Sequence, residues 1–174
     1  MLLPTGYQDH FARENLPPIE QWPTLLKLPH ALQYPERLNA VDALLDIHVR
    51  EGRGDRIALM GPDICWTYAQ LQHRVDQIAW VLRSDLGLRT GSRVLLRGSN
   101  HPMLAACWLA VIKAGCVAVT TMPLLRAREL VTIIDKAQVN AALCEEGLLS
   151  EWQGAVQNLG QAIPTLGYGA KGQL

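Results

Sequence analysis

Apolar residues recur along this chain with two periods, and the switch from one to the other marks out its elements. Between Thr67 and Leu82 the apolar positions Leu71, Val75, Ile78 and Leu82 fall three or four apart, the spacing of one helical face. Thr67 stands three residues before Gln70, so each side chain can take a backbone N–H near the other, and the pattern predicts a helix over 68–84. Asn39 is a second start signal. It precedes Asp42 in a first turn and Val41, Leu44, Leu45 and His48 on one face, which predicts a helix to about Arg50. Two β-rich runs, Ile57–Met60 and Cys65–Tyr68, flank the turn Gly61-Pro62-Asp63 and predict a hairpin.

From Arg93 the pattern alternates. Arg93–Arg97 is a short strand, Ser99 or Asn100 caps the next helix, Pro102 sits in its first turn, and Gly115 ends it. Strand Val117–Thr121, helix Arg126–Lys136 and strand Asn140–Cys144 follow. Strands alternating with helices predict a parallel sheet with right-handed crossovers. Helix 102–114 is apolar on most of its turns, so it should be buried on nearly all sides, with Cys107 and Trp108 in the core. The stretch from Met103 to Met122 is almost wholly apolar, yet Lys113 and Gly115 interrupt it and Val117–Thr121 turns β-branched. A buried helix and a buried strand are expected there, not a membrane span.

Three regions result. Residues 1–38 form a proline-rich N-terminal extension holding six of the ten prolines, which rules out a long helix or central strand and suggests a surface wrap pinned by Trp22 and Leu25. Residues 39–150 form an α/β subdomain. Residues 151–174 read as a weakly structured tail, because periodicity fades after Glu145 and Thr165–Leu174 is glycine-rich and polar.

Charge and cysteine content narrow the function. Sixteen basic and sixteen acidic side chains cancel, so no global field draws in nucleic acid or an anionic membrane. Cys65, Cys107, Cys116 and Cys144 show no C-x-x-C spacing, and three of them lie in apolar runs, as expected of reduced thiols in a cytoplasmic protein. Met1–Arg13 is too polar for a signal peptide. No histidine pairs with a second histidine at i, i+4 or with a cysteine at ligand spacing, so no metal site is expected.

One spaced series carries more. Trp66-Thr67-Tyr68-Ala69-Gln70-Leu71, then Gly87-Leu88 with Gly91-Ser92-Arg93-Val94, then Lys113-Ala114-Gly115 resemble the front of the adenylate-forming (AMP-dependent) acid-CoA ligases. Three further stretches resemble the 2-aminobenzoate- and benzoate-CoA ligase branch of that family. They are Asn15-Leu16-Pro17-Pro18 with Glu20-Gln21-Trp22-Pro23, Val94–Gly98 with Asn100, and Cys107–Ala110 with Met122–Leu130. The branch carries proline and a second asparagine where Ser99 and His101 stand here.

The resemblance implies a partial Rossmann-like parallel sheet with flanking helices, the N-terminal subdomain of the ligase fold. It implies ATP, Mg2+ and CoA as cofactors of the complete enzyme and a small aromatic carboxylic acid as its substrate. The family's phosphate loop, its Tyr-Gly-x-Thr-Glu segment, its ribose-binding aspartate and its C-terminal lysine do not occur in this sequence. The chain therefore reads as a fragment that is inactive alone, contributes no catalytic residue, binds none of these cofactors by itself, and self-associates through a bared subdomain surface. Two alternatives stay open: an adenylating domain that serves a carrier protein or a luciferase-like oxidase, and a non-catalytic α/β binding or scaffold domain.

Candidate sites each have a bland reading beside them. Arg126 and Arg128 open a helix just after a strand, where CoA phosphates would meet side-chain and backbone donors; a solvated helix start is the preferred reading of the two. Ser99, Asn100 and His101 lie between a strand and a helix, as a substrate-side loop or as simple caps. Gly167-Tyr168-Gly169-Ala170-Lys171-Gly172 has the glycines and lysine of a phosphate loop but no Ser/Thr cluster and no following helix, and reads as tail.

Overall fold

The computed structural model describes residues 5–24 and 34–169. The N-terminal stretch holds one helical turn, α1 (Phe11–Glu14), and a 3-10 turn at Ile19–Gln21. A π-helical turn, Asp42–Asp46, runs into α2 (Ile47–Arg50). The strands β1 (Ile57–Met60) and β2 (Cys65–Thr67) pair antiparallel, and α3 (Tyr68–Trp80) ends in a second π-helical turn, Val81–Asp85. Then come β3 (Arg93–Arg97), α4 (Pro102–Lys113), β4 (Val117–Thr121), α5 (Ala127–Ala137), β5 (Ala141–Glu145), α6 (Leu149–Leu159) and β6 (Thr165–Tyr168).

The last four strands form a parallel sheet in the order β4-β3-β5-β6. Its faces divide the helices. Val94 and Leu96 of β3 pack with Met103, Ala106 and Ala110 of α4, and α3 adds Leu71, Val75 and Ile78 behind them. Leu95, Ala142 and Cys144 pack on the other face against Leu130 and Ile134 of α5 and Trp152 and Ala155 of α6. Three layers result, with the predicted parallel α/β sheet in the middle. Lys113 at the end of α4 pairs with Asp46 at 2.8 Å and also with Asp76, which ties the π-helical turn and α3 to α4.

Local chemistry explains the starts. Thr67 Oγ1 accepts from Gln70 N at 3.3 Å while Gln70 Oε1 accepts from Thr67 N at 3.0 Å, so the expected reciprocal cap is formed. It also places Tyr68 in the helix, as the helix expected over 68–84 has it, so β2 ends at Thr67 and not at Tyr68. Asn39 Oδ1 accepts from Val41 N at 3.0 Å, as a cap should, and its amide donates to the Ile112 and Lys113 carbonyls at the end of α4.

Several expectations need correction. Leu44 is exposed while Val41 and Leu45 are buried, because the π-helical turn carries more residues per turn than an α-helix and rotates Leu44 off the common face. Neither Ser99 nor Asn100 caps α4. Pro102 takes the first helical position, which makes His101 the cap, in the extended conformation that a residue before proline favours. Trp108 is 38% exposed, so α4 is not buried all round, although Cys107 and Val111 are fully buried.

The largest correction is the expected tail. Residues 149–159 form α6 and 165–168 form β6, which pairs with β5 through Ala142↔Thr165 to Glu145↔Tyr168. Trp152 is buried and its Nε1 donates to Thr165 Oγ1 at 2.8 Å, joining the two elements. Gly167 and Tyr168 are therefore strand residues; Ala170, Lys171 and Gly172, like Leu25 of the N-terminal extension, lie outside the described residues.

Candidate functional site

Loops that follow parallel strands collect on one edge of the sheet, and ligands bind where neighbouring connections leave over opposite faces. Here that place lies between β3 and β5. α4 leaves β3 over one face, α6 leaves β5 over the other, and the segments Gly98–His101 and Glu145–Leu148 part. A carboxylate bridges the gap: Glu145 Oε2 accepts from Ser99 N at 2.7 Å and from Ser99 Oγ at 2.8 Å. Gly98 permits the close approach below it. A Cβ at Gly98 would stand 1.9 Å from Tyr168 Oη. The Tyr168 hydroxyl is buried, which raises its pKa above the ordinary phenol value, and it donates to the Arg97 carbonyl at 3.2 Å.

On the α4 side, His101 Nδ1 accepts from Met103 N at 3.2 Å, so the imidazole proton belongs on Nε2. That Nε2 is buried without a partner among the described residues. The His101 residue lines a pocket of about 370 Å³ whose other walls include Leu96, Asn100, Leu104, Trp108 and Thr120. The walls are mostly apolar, with one amide, one hydroxyl and one imidazole, a combination suited to a flat, weakly polar group.

On the α5 side, the donors are already in use. Arg126 N donates to Glu129 Oε2 at 2.9 Å, Ala127 N donates to Glu151 Oε2 at 2.8 Å, and Arg126 Nη1 donates to Glu151 Oε1 at 3.0 Å. The Ala127 amide, then Arg126, hold the Glu151 carboxyl below its usual pKa. Arg128 is exposed and has no ion-pair partner among the described residues. The structure brings Ser99 to Glu145 and Arg126 to Glu151; no hydrogen bond joins the two candidate groups to each other.

Beneath both loops lies Arg97, 1% exposed, which sequence reasoning did not single out. Its signal was the alternation Arg93-Leu95-Arg97, two charges on one face of a strand flanked by helices. Glu145 and Tyr168 were missed as well, since their roles depend on contacts 46 and 71 residues away. The thiols are inert by placement: burial pushes Cys107 up to about 12 and Cys116 and Cys144 up to about 11, while Cys65 is exposed. Among the described residues no three His, Cys, Asp or Glu side chains converge as metal ligands, and no helix is long and apolar enough to cross a membrane.

Known proteins share this frame. The AMP-binding enzyme family matches residues 46–168. Benzoate–CoA ligase of Thauera aromatica is 31% identical over 124 residues, covering 70% of this chain and 23% of its own. Salicyl-AMP ligase / salicyl-S-ArCP synthetase of Mycobacterium tuberculosis is 35% identical over 100 residues, covering 58% and 15%. The solved anthranilate CoA ligase AuaEII, in complex with anthranoyl-AMP, has the same fold, with a TM-score of 0.71 at 24% identity over 77% of this chain and 25% of its own. The chain thus spans about a quarter of the length of the benzoate and anthranilate ligases, and less of the salicyl-AMP ligase. Because the family match runs from α2 through β6 and takes in both parted loops, the chain belongs to the AMP-binding enzyme family.

Proposed function

We propose that this chain is the front subdomain of an ATP-dependent aromatic acid–CoA ligase. In that reaction a carboxylate oxygen attacks the α-phosphate of ATP and diphosphate leaves; the CoA thiol then attacks the acyl carbon and AMP leaves. The observation that carries the reading is the identity to benzoate–CoA ligase across 70% of the chain. In this reading Ser99, Asn100 and His101, on one of the parted loops, are assigned to the acyl side, and Arg126 and Arg128, at the start of α5, to the CoA phosphates.

The described residues do not suit ATP or Mg2+. Among the described residues no carboxylate cluster awaits a cation, and carboxylates occupy the first donors of α5, so a CoA phosphate binding there has to displace them. Positioning and charge neutralisation supply most of the rate in such reactions, so the 174-residue chain is expected to catalyse neither half-reaction alone. Trp108, Met122 and Leu124 are exposed, and we expect the isolated chain to self-associate through them. Free, buried thiols favour the cytoplasm.

The match to salicyl-AMP ligase / salicyl-S-ArCP synthetase favours one second reading, in which the acceptor is a carrier protein. The test is ATP–pyrophosphate exchange with 2-aminobenzoate, benzoate and no acid, on this chain and on any longer reading frame containing it. Exchange that needs the acid is expected only from the longer protein. Its absence there would defeat the ligase reading and leave a binding or scaffold domain, whereas exchange by the short chain would defeat the fragment reading. Release of AMP with CoA, against release with a carrier protein that bears a free thiol, then separates the two acceptors.

A further inference from the structure

Arg97 ends β3, and its guanidinium is spent on backbone alone. Nη1 donates to the Met122 carbonyl at 3.0 Å; Nη2 donates to those of Pro123 at 3.0 Å and Leu125 at 2.7 Å; Nε reaches the Leu148 carbonyl at 3.5 Å. No carboxylate pairs with it among the described residues. A buried charge is costly unless its donors are satisfied, and an apolar side chain would fill the space between sheet and helices at less cost. What the guanidinium adds is direction. Its planar fork holds acceptors from two separate loops at one spacing, which an ammonium donating from a single point cannot reproduce.

Those two loops are the ones that matter. Met122–Leu125 leads directly into Arg126, and Leu148 precedes α6, which bears Glu151. Within the first loop, Leu125 N donates to the Met122 carbonyl at 3.2 Å, and the Leu125 side chain packs against the cluster of α5 and α6. Arg97 therefore anchors both partners of the Arg126–Glu151 pair from below, and its own carbonyl holds Tyr168 at the end of β6. We infer that Arg97 is a positioning residue that fixes the β4–α5 and β5–α6 loops against each other at the ligand-facing edge. Its link to CoA binding rests on the ligase reading above; the loop geometry does not.

The experiment is hydrogen–deuterium exchange on the 174-residue chain and its Arg97→Ala and Arg97→Lys variants. In both variants the amides of Leu125, Arg126, Ala127 and Leu149 should exchange at least about tenfold faster, while those of α3 and α4 stay within about threefold of the parent. Free guanidinium at about 20 mM should restore the loops in the Ala variant, and the same concentration of ammonium should not. Unchanged loops, equal acceleration in α3 and α4, full protection in the Lys variant, or unfolding of both variants would each overturn the inference. In a longer protein that shows acid-dependent exchange, Arg97→Lys should raise the KM for CoA about tenfold and leave the adenylation rate unchanged. A parent with no exchange would count against the ligase reading, with the loop measurement still deciding the role of Arg97.

Discussion

Arg93 and Arg97 lie on the same face of β3, one turn of side-chain alternation either side of Leu95, and both are buried. At the closed end of the sheet, Arg93 Nη1 pairs with Asp9 Oδ2 at 2.6 Å, and its other donors reach the carbonyls of Gly91, Ala137 and Gln138. Its guanidinium also stands 4.7 Å from the centre of the Phe11 ring. At the open end, Arg97 meets carbonyls only. The Arg93 hydrogen bond holds the Asp9 carboxyl below its ordinary pKa, so the charge at that end is neutralised by a segment of the N-terminal extension. Gly91 allows this: its φ is +92°, and a Cβ there would stand 2.2 Å from the Asp9 carbonyl oxygen. One arginine thus fastens a segment to the fold with a counter-charge. The other spaces two loops without one.

The strongest way to break this contrast is Arg93→Met. It leaves Asp9 without its cation and three carbonyls without a donor, and removing one member of a buried ion pair costs about 3 to 5 kcal/mol. Asp9 keeps some contact with solvent, so the lower figure is expected, read as a fall in the urea midpoint. The same variant should expose the bonds around Phe11 to limited proteolysis. A loss no larger than that of a surface substitution would remove the structural distinction between the two arginines.

A smaller effect sharpens the open end. Gly98→Ala forces a methyl group against the Tyr168 hydroxyl, which cannot retreat without giving up the Arg97 carbonyl. Overpacking of this kind costs about 1 to 3 kcal/mol. Tyr168→Phe alone should cost about 1 kcal/mol for the lost hydrogen bond. Combined, the two should cost less than their sum, because removing the hydroxyl removes most of the clash. Strict additivity in urea denaturation would mean that Gly98 matters for some reason other than Tyr168.

Which parts were legible in the sequence follows from the range of the forces involved. Thr67 with Gln70, the apolar series Leu71 to Leu82 and the three strands from Arg93 to Cys144 were readable because capping and periodicity are local. The end of the chain was not. Leu149, Trp152, Val156 and Leu159 do keep helical spacing, but Gly154 and the intervening polar residues weaken it, and β6 exists only through pairing with β5. The position of the loop Ser99–His101 between β3 and α4 was readable from the strand-to-helix transition alone. Its fastening by Glu145, and the clamp formed by Arg97, required knowing which strands adjoin. The π-helical turn that exposes Leu44 left no pattern that a period of 3.6 would reveal.

The smallest expected effect on stability, and the one that bears most on function, concerns Glu151. Its carboxylate takes the Ala127 amide and Arg126, the positions at which an incoming phosphate would bind α5. Because its folded pKa is depressed, the stability it contributes is present above its unfolded pKa, near 4.5, and is lost as pH falls through the lower folded value. Glu151→Gln should therefore lower the urea midpoint slightly at neutral pH, and the difference from the parent should shrink toward zero at about pH 3. A gap that persists at that pH would mean the carboxylate charge is not what acts. In a longer, active protein the same variant should tighten CoA by removing a competing anion, while Arg126→Ala should weaken the thioester-forming step by about 1.5 to 3 kcal/mol and spare adenylation. If both variants shift CoA in the same direction, or neither does, the CoA phosphates bind away from Arg126 and Glu151 serves only as the cap of α5.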